Sequence, residues 1–310
     1  MNNETYERVK YVVKNRSLLA AGSIILFNGY SKTSLEMIRL HIHHKLVKKY
    51  RRLIKNSYSQ ELDKIVHTSE PIKHRKIWIL WYQGIESAPD IVKLCYSKML
   101  NLNDKEVILI TQDNIKDYVT LPENILIKFE QGKISHAHFS DILRVELLYQ
   151  HGGIWLDSTV LCSKRELPKY IERSSLFFYQ LLKPGKDGHS ILCSSWVMSA
   201  SKGNPFLGLV RRCLHDYWSQ NNSLEDYFLL HIVISALLQE CPDYYESLIK
   251  VCNSTPHTLL LSFNREYTPE LYEFLIKNSS VHKLTYKYNN YDSQNDTILN
   301  RLLSEGCYEN

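Results

Sequence analysis

The stretch SDILRVELLYQHGGIWLDSTV, residues 140–160, constrains the fold more tightly than any other part of the chain. Phe139, Ile142, Leu143, Val145, Leu147 and Leu148 give it an apolar helical pattern, yet Asp141, Arg144 and Glu146 are set among them. The spacing predicts a helix over 137–150. It ends at Gly152-Gly153, the residue type that a left-handed helix terminus and a tight turn favour. A strand over 153–162 follows directly and carries Asp157 behind Ile154-Trp155-Leu156. A carboxylate in a strand that otherwise reads as buried is costly unless it has a partner.

On either side the pattern is that of an α/β sheet. KIWILWY (76–82) and EVILIT (106–111) are short buried strands, separated by a helical pattern that starts near Pro89 and runs to Leu100. Strand, helix and strand in this order imply parallel pairing. A short helix runs from Pro122 to Phe129, with Gly132 ending it. Further on, 175–180 and 193–200 read as strands, and 205–219, 226–240 and 243–252 as helices. TLLLS (258–262) reads as a strand, VHKLTYK (281–287) alternates in strand fashion, and 296–305 closes as a helix. Residues 1–70 form a helical N-terminal extension to the α/β domain at 71–310. Within it, Leu35, Ile38, Ile42, Leu46 and Leu53 mark one stripe, interleaved with the basic run HKLVKKYRRLIK (44–55). That run is either a solvated face or a surface for an anionic membrane.

A net charge of +5 over 310 residues is too small to argue for nucleic acid, and no aromatic platform accompanies the basic run. Seven scattered cysteines without a CxxC pair read as reduced thiols and offer no zinc spacing. The N-terminus lacks the order of a signal peptide. The apolar run LLAAGSIILF (18–27) falls short of the roughly 20 residues a membrane span requires. The expected compartment is the cytoplasm.

Open α/β sheets bind ligands beyond the carboxyl ends of their strands. Three such ends are Trp81-Tyr82-Gln83-Gly84, Thr111-Gln112-Asp113-Asn114 and Asp157-Ser158-Thr159, and together they are expected to line one crevice. Asp141 and Arg144, three apart, share a helix face about 5–6 Å apart at Cβ. They form either a plain ion pair or a carboxylate and guanidinium that fork onto vicinal hydroxyls, and their apolar surroundings favour the second. Asp157 can hold a ribose hydroxyl or a divalent cation, or can cap the turn that follows it. Glu146, five residues from Asp141, reads as structural.

The run 140–160, with KIWILWYQG before it, resembles the capsular polysaccharide synthesis glycosyltransferases, relatives of the DXD sugar-binding transferases. The likeness covers residues 73–165 well and is weaker over 193–230 and at VHKLTYK. It implies a GT-A fold, Rossmann-like with a mixed sheet flanked by helices, and transfer of a sugar from a nucleotide-sugar donor to a glycan or lipid-linked glycan hydroxyl, usually with retention. By the same resemblance, Trp81 stacks on the base, with Tyr82, Gln83 and Ser158 beside the donor. Asp141 and Arg144 grip the sugar, and Asp157 is the first aspartate of DXD. Where the second aspartate belongs, this chain has Thr159. Two sources of positive charge therefore stay open. One is a divalent cation, Mn²⁺ or Mg²⁺, on Asp157, Thr159 and His282; the other is Lys283 acting directly on the leaving diphosphate. His282 and Lys283 could equally be a strand-edge pair facing solvent. The rival readings are a non-catalytic binding relic of the same fold and a glycan phosphotransferase.

Overall fold

The expected alternation closes into a five-stranded mixed sheet flanked by helices. The computed structural model describes residues 3–66, 73–182, 190–288 and 296–307. Its strands are β1 (Lys76–Leu80), β2 (Glu106–Ile110), β3 (Gly153–Leu156), β4 (Val160–Cys162), β5 (Leu176–Gln180), β6 (Cys193–Ala200) and β7 (Val281–Lys283). The sheet order is β2-β1-β3-β6-β5, with β4 and β7 paired separately. β1 runs parallel to β2 and β3, whereas β6 lies antiparallel to β3 and β5. Every residue of β3, β5 and β6 is buried, so both faces of these strands are covered.

Strand alternation sends side chains to two cores. Trp78, Trp155, Phe178 and Met198 face the helices His136–His151, Pro205–Gln220 and Leu229–Glu240. Ile77, Ile79, Ile154 and Val197 face the helices Asp90–Leu100 and Ile298–Cys307.

The chain begins with α1 (Asn3–Lys14), α2 (Leu18–Asn28) and α3 (Lys32–Ser57). Ser31 caps α3 by accepting the Ser34 N–H at 3.0 Å. Ile38, Ile42, Leu46, Tyr50 and Ile54 form its buried stripe and join the same core as Trp78. Leu53, expected on that stripe, is 47% exposed, because the stripe advances by fours and Ile54 takes the position. The expected domain boundary at 70/71 lies outside the described residues. Part of the basic run 44–55 is paired within the fold: Lys49 bonds to Glu225 and Arg51 to Glu240, each at 2.6 Å.

Several boundaries differ from expectation. The strand expected over 153–162 breaks at Asp157-Ser158-Thr159, where the Val160 N–H donates to the Asp157 carbonyl at 2.9 Å, and the chain passes into the second sheet. TLLLS is a one-turn helix, Thr258–Leu261, not a strand. Only Leu259 of it is fully buried, and a run of three apolar residues has no period to separate the two forms. The helix expected over 243–252 stops at Ser247, and Cys252 instead bridges to Gln180. Strand 281–287 is reduced to β7, and β1 ends at Leu80 with Trp81 and Tyr82 in the turn beyond.

Gly152 and Gly153 have φ of +70° and +109°. A Cβ on Gly153 would lie 2.7 Å from the Lys76 carbonyl oxygen, so the corner requires glycine on both conformational and steric grounds. The six cysteines whose side chains are described are free thiols; the Cys307 side chain lies outside the description. No described helix is long and apolar enough to cross a membrane.

Candidate active site

Beyond the carboxyl ends of β1 and β3 lies a cleft of about 880 Å³. Trp81, Tyr82, Gln83, Asp141, Arg144, Asp157, Ser158, Thr159 and Lys283 all line it. The third expected strand end does not reach it. β2 is the edge strand, and Asn114 folds that loop back by accepting the Thr111 N–H and donating to the Leu109 carbonyl.

Arg144 is the hub. Its Nη1 donates to Asp141 Oδ1 at 2.9 Å and to Ser195 Oγ, and its Nη2 donates to Asp157 Oδ1 at 2.9 Å. The guanidinium lies 4.9 Å from the Trp155 ring, and the Trp155 indole N–H donates to the same Asp157 oxygen at 2.9 Å. The helix His136–His151 and strand β3 thus meet through one cation and two carboxylates, held together by the Gly152-Gly153 corner. Burial alone would raise the Asp141 carboxyl, but the His138 imidazole and the Arg144 charge outweigh it and hold it below the usual range. Burial acts the same way on Asp157, where the charges of Lys283 and Arg144 win and keep it ionised.

The break after Asp157 gives the site its second cation. In the second sheet Val160 pairs with Lys283, so Lys283 emerges beside the turn that carries Asp157 and Thr159. Its Nζ donates to Asp157 Oδ2 at 2.7 Å and to Thr159 Oγ1 at 2.8 Å. His282, one residue earlier on the strand, points the other way. It is fully buried, its Nε2 lies 3.3 Å from Ser163 Oγ, and burial pushes its pKa down to about 4. The expectation that His282 could join a metal set therefore fails by simple strand alternation. The resemblance implied a divalent cation, and the donor set does not suit one. Both Asp157 oxygens and Thr159 Oγ1 are engaged by N–H donors, and no cluster of three His, Cys, Asp or Glu side chains stands ready among the described residues.

Several cleft residues escaped sequence reasoning. Ser195 joins Arg144 to His231 Nε2, 3.1 Å away. His231 is half-buried, and desolvation pushes its pKa down to about 4, so it is neutral at physiological pH. A lone histidine in LLHIVISALL was the available signal. Tyr286, which meets Trp81 edge-on at 5.6 Å, and Phe228 line the cleft too. Trp196 and Tyr227 line the cleft as well, and Trp196 stacks on Tyr179 at 4.6 Å. Asn204 and Asp226 do not line it. Asn204 caps the helix Pro205–Gln220, and Asp226 accepts from Tyr11 and from the Phe228 N–H. Glu146 is structural as expected, buried against Arg211 at 2.8 Å and His215 at 2.6 Å. The Trp81 indole N–H and His231 Nδ1 are buried with no hydrogen-bond partner among the described residues. Unmet polar atoms in a cleft wall call for a ligand or water.

The model of the capsular polysaccharide synthesis protein family matches residues 24–302, and the chain belongs to that family. No curated protein matches the chain. Among solved structures it is similar to the PaToxG glycosyltransferase, at 15% identity over 87% of this chain and 97% of that one, with a TM-score of 0.43.

Proposed function

We propose that the protein is a glycosyltransferase of the GT-A type, moving a hexose from a nucleotide-sugar donor to a glycan hydroxyl in surface polysaccharide synthesis. The observation that carries this reading is Arg144, held between Asp141 and Asp157 in a cleft that Trp81 also lines. Membership of the capsular polysaccharide synthesis family agrees with it. The cleft volume lies within the roughly 300–1,000 Å³ range of ligand sites.

In this reading the base lies against Trp81, which lines the cleft beside Tyr82 and Gln83. Asp141 accepts from sugar hydroxyls while Arg144 fixes its direction, so the ring is oriented before reaction. The C1–O bond to the diphosphate breaks with its electron pair going to the leaving oxygen. The Lys283 ammonium offsets the charge gathering there. The acceptor hydroxyl attacks C1 from the same face and gives its proton to the departing phosphate oxygen, which gives retention. Among the described residues no cleft carboxylate is free to act as a nucleophile, since Asp141 and Asp157 are both committed to cations.

The test is nucleoside diphosphate release from a panel of nucleotide sugars, by wild type and by Asp157→Asn. Turnover with one donor, lost in the variant, supports the proposal. Donor binding without turnover on any acceptor selects the binding relic, and transfer of labelled phosphate selects the phosphotransferase.

A further inference from the structure

Helix α2 has an unusual setting. Its sequence, LLAAGSIILFN, contains no charged residue, yet Ala21 is its only buried side chain. Leu18, Ala21, Gly22 and Ile25 turn towards α1 and α3, around a cavity of about 340 Å³. The opposite face carries Leu19, Leu26 and Phe27, exposed by 90%, 79% and 83%. Single exposed apolar residues are ordinary, but three large ones on one helix face mark a surface that something covers.

The charge around this face indicates what covers it. Residues 1–57 contain twelve Lys and Arg against three Glu, a net +9, while the whole chain carries +5. The remainder is therefore net negative, and the positive charge is concentrated on the segment that exposes the apolar helix. Arg16 and Lys32 flank α2 and are exposed, and Lys45 reaches across to the Asn15 and Arg16 carbonyls at the turn before it. The acidic side chains described on these helices are Glu7 and Glu36, and Glu7 lies 3.7 Å from Lys10. A second copy of the chain would bring one basic surface against another. An anionic lipid surface complements both features.

We propose that α2 docks the protein on an anionic bilayer. It lies in the interfacial plane with Leu19, Leu26 and Phe27 among the acyl chains, while the surrounding Lys and Arg face lipid phosphates. At 11 residues, about 17 Å, the helix is too short to cross the roughly 30 Å hydrocarbon core, so it rests on the membrane. This moves the contact from the basic run 44–55 to the helix before it, since Lys49 and Arg51 are engaged within the fold. The docking helices are also tied to the cleft. Tyr11 of α1 donates to Asp226, His43 of α3 lies 3.5 Å from the same carboxylate, and Asp226 holds the Phe228 N–H at the cleft wall. The inference does not depend on the glycosyltransferase reading.

The experiment is flotation of the full chain with vesicles of phosphatidylcholine alone or mixed with phosphatidylglycerol, at low and high salt. Wild type should float with the anionic vesicles, less so at high salt, and stay below with the neutral ones. The variant Leu19→Glu/Phe27→Glu should bind at least about tenfold more weakly while keeping the wild-type melting temperature. Wild type left unbound by anionic vesicles would overturn the proposal, as would a double variant that floats equally well. A dimer in sedimentation analysis that Phe27→Glu dissociates would also overturn it, because a second copy would then cover the face.

Discussion

Replacing Lys283 tests the idea that an ammonium, not a metal ion, receives the developing phosphate charge. The four charged groups of the site, Asp141, Asp157, Arg144 and Lys283, sum to zero, so Lys283→Ala leaves the cleft with a net negative charge where a diphosphate must form. A full charge about 4 Å away contributes ~4 kcal/mol at an effective dielectric near 20. The Lys283 side chain is 20% exposed, and Asp157 Oδ2, 2.7 Å away, cancels part of its field. Taking roughly half to three-quarters of that value leaves about 2–3 kcal/mol, a loss of about 30- to 150-fold in kcat. Steady-state release of nucleoside diphosphate, with water in place of the acceptor, reads this without knowing the natural acceptor. Wild type should be indifferent to chelator. Lys283→Ala frees Asp157 Oδ2 and Thr159 Oγ1, so added Mn²⁺ should restore part of its rate. Lys283→Arg should retain more activity than Lys283→Ala. A wild-type enzyme silenced by chelator and revived by Mn²⁺, alongside an unimpaired Lys283→Ala, would refute the reasoning.

Arg144→Lys keeps the charge but cannot bridge two carboxylates with a planar fork, so kcat/KM for the donor should fall by about 100-fold or more; equal kinetics would show that charge alone suffices. Glu146→Gln strands the buried ends of Arg211 and His215 far from the cleft and should lower stability by about 3 kcal/mol in urea titration, with the activity of the folded fraction unchanged. Burial holds His231 and His282 at about 4, below their unfolded value near 6.5, so the unfolded chain binds more protons between those pH values. Stability should therefore be whole above about pH 6.5 and fall towards pH 4, by up to roughly 3 kcal/mol per histidine, with the depressed carboxyls Asp141, Asp157 and Glu146 adding to the loss at still lower pH. Urea melts from pH 7 to pH 4.5 measure the slope, and His282→Asn, remote from the cleft, should flatten it.

How much of this could be read from the chain depended on whether a feature was written locally or across distance. The helix His136–His151, its Gly-Gly terminus and the strand beyond announce themselves through period and residue type within twenty positions, and the ion pair of Asp141 with Arg144 follows from helical geometry alone. The break at Asp157 was hidden, because Val160-Leu161-Cys162 continues the apolar run of β3 and only its pairing with β7 shows that it has changed sheet. That hidden switch decides the chemistry. It bends the chain so that Thr159 turns to Lys283, and the strand's two-residue period then sends Lys283 into the cleft and His282 into the core. Sequence reasoning could nominate both neighbours but could not choose between them, since a one-residue shift in register exchanges their roles. Ser195 and His231 were obscured for a related reason: each lies in a segment that looks like core, and each joins the site through a contact remote in sequence, Ser195 with Arg144 and His231 with Ser195. A departure from a sequence pattern at one position, Thr159 for an acidic residue, thus acquires physical meaning only when the residue 124 positions away that answers it is seen.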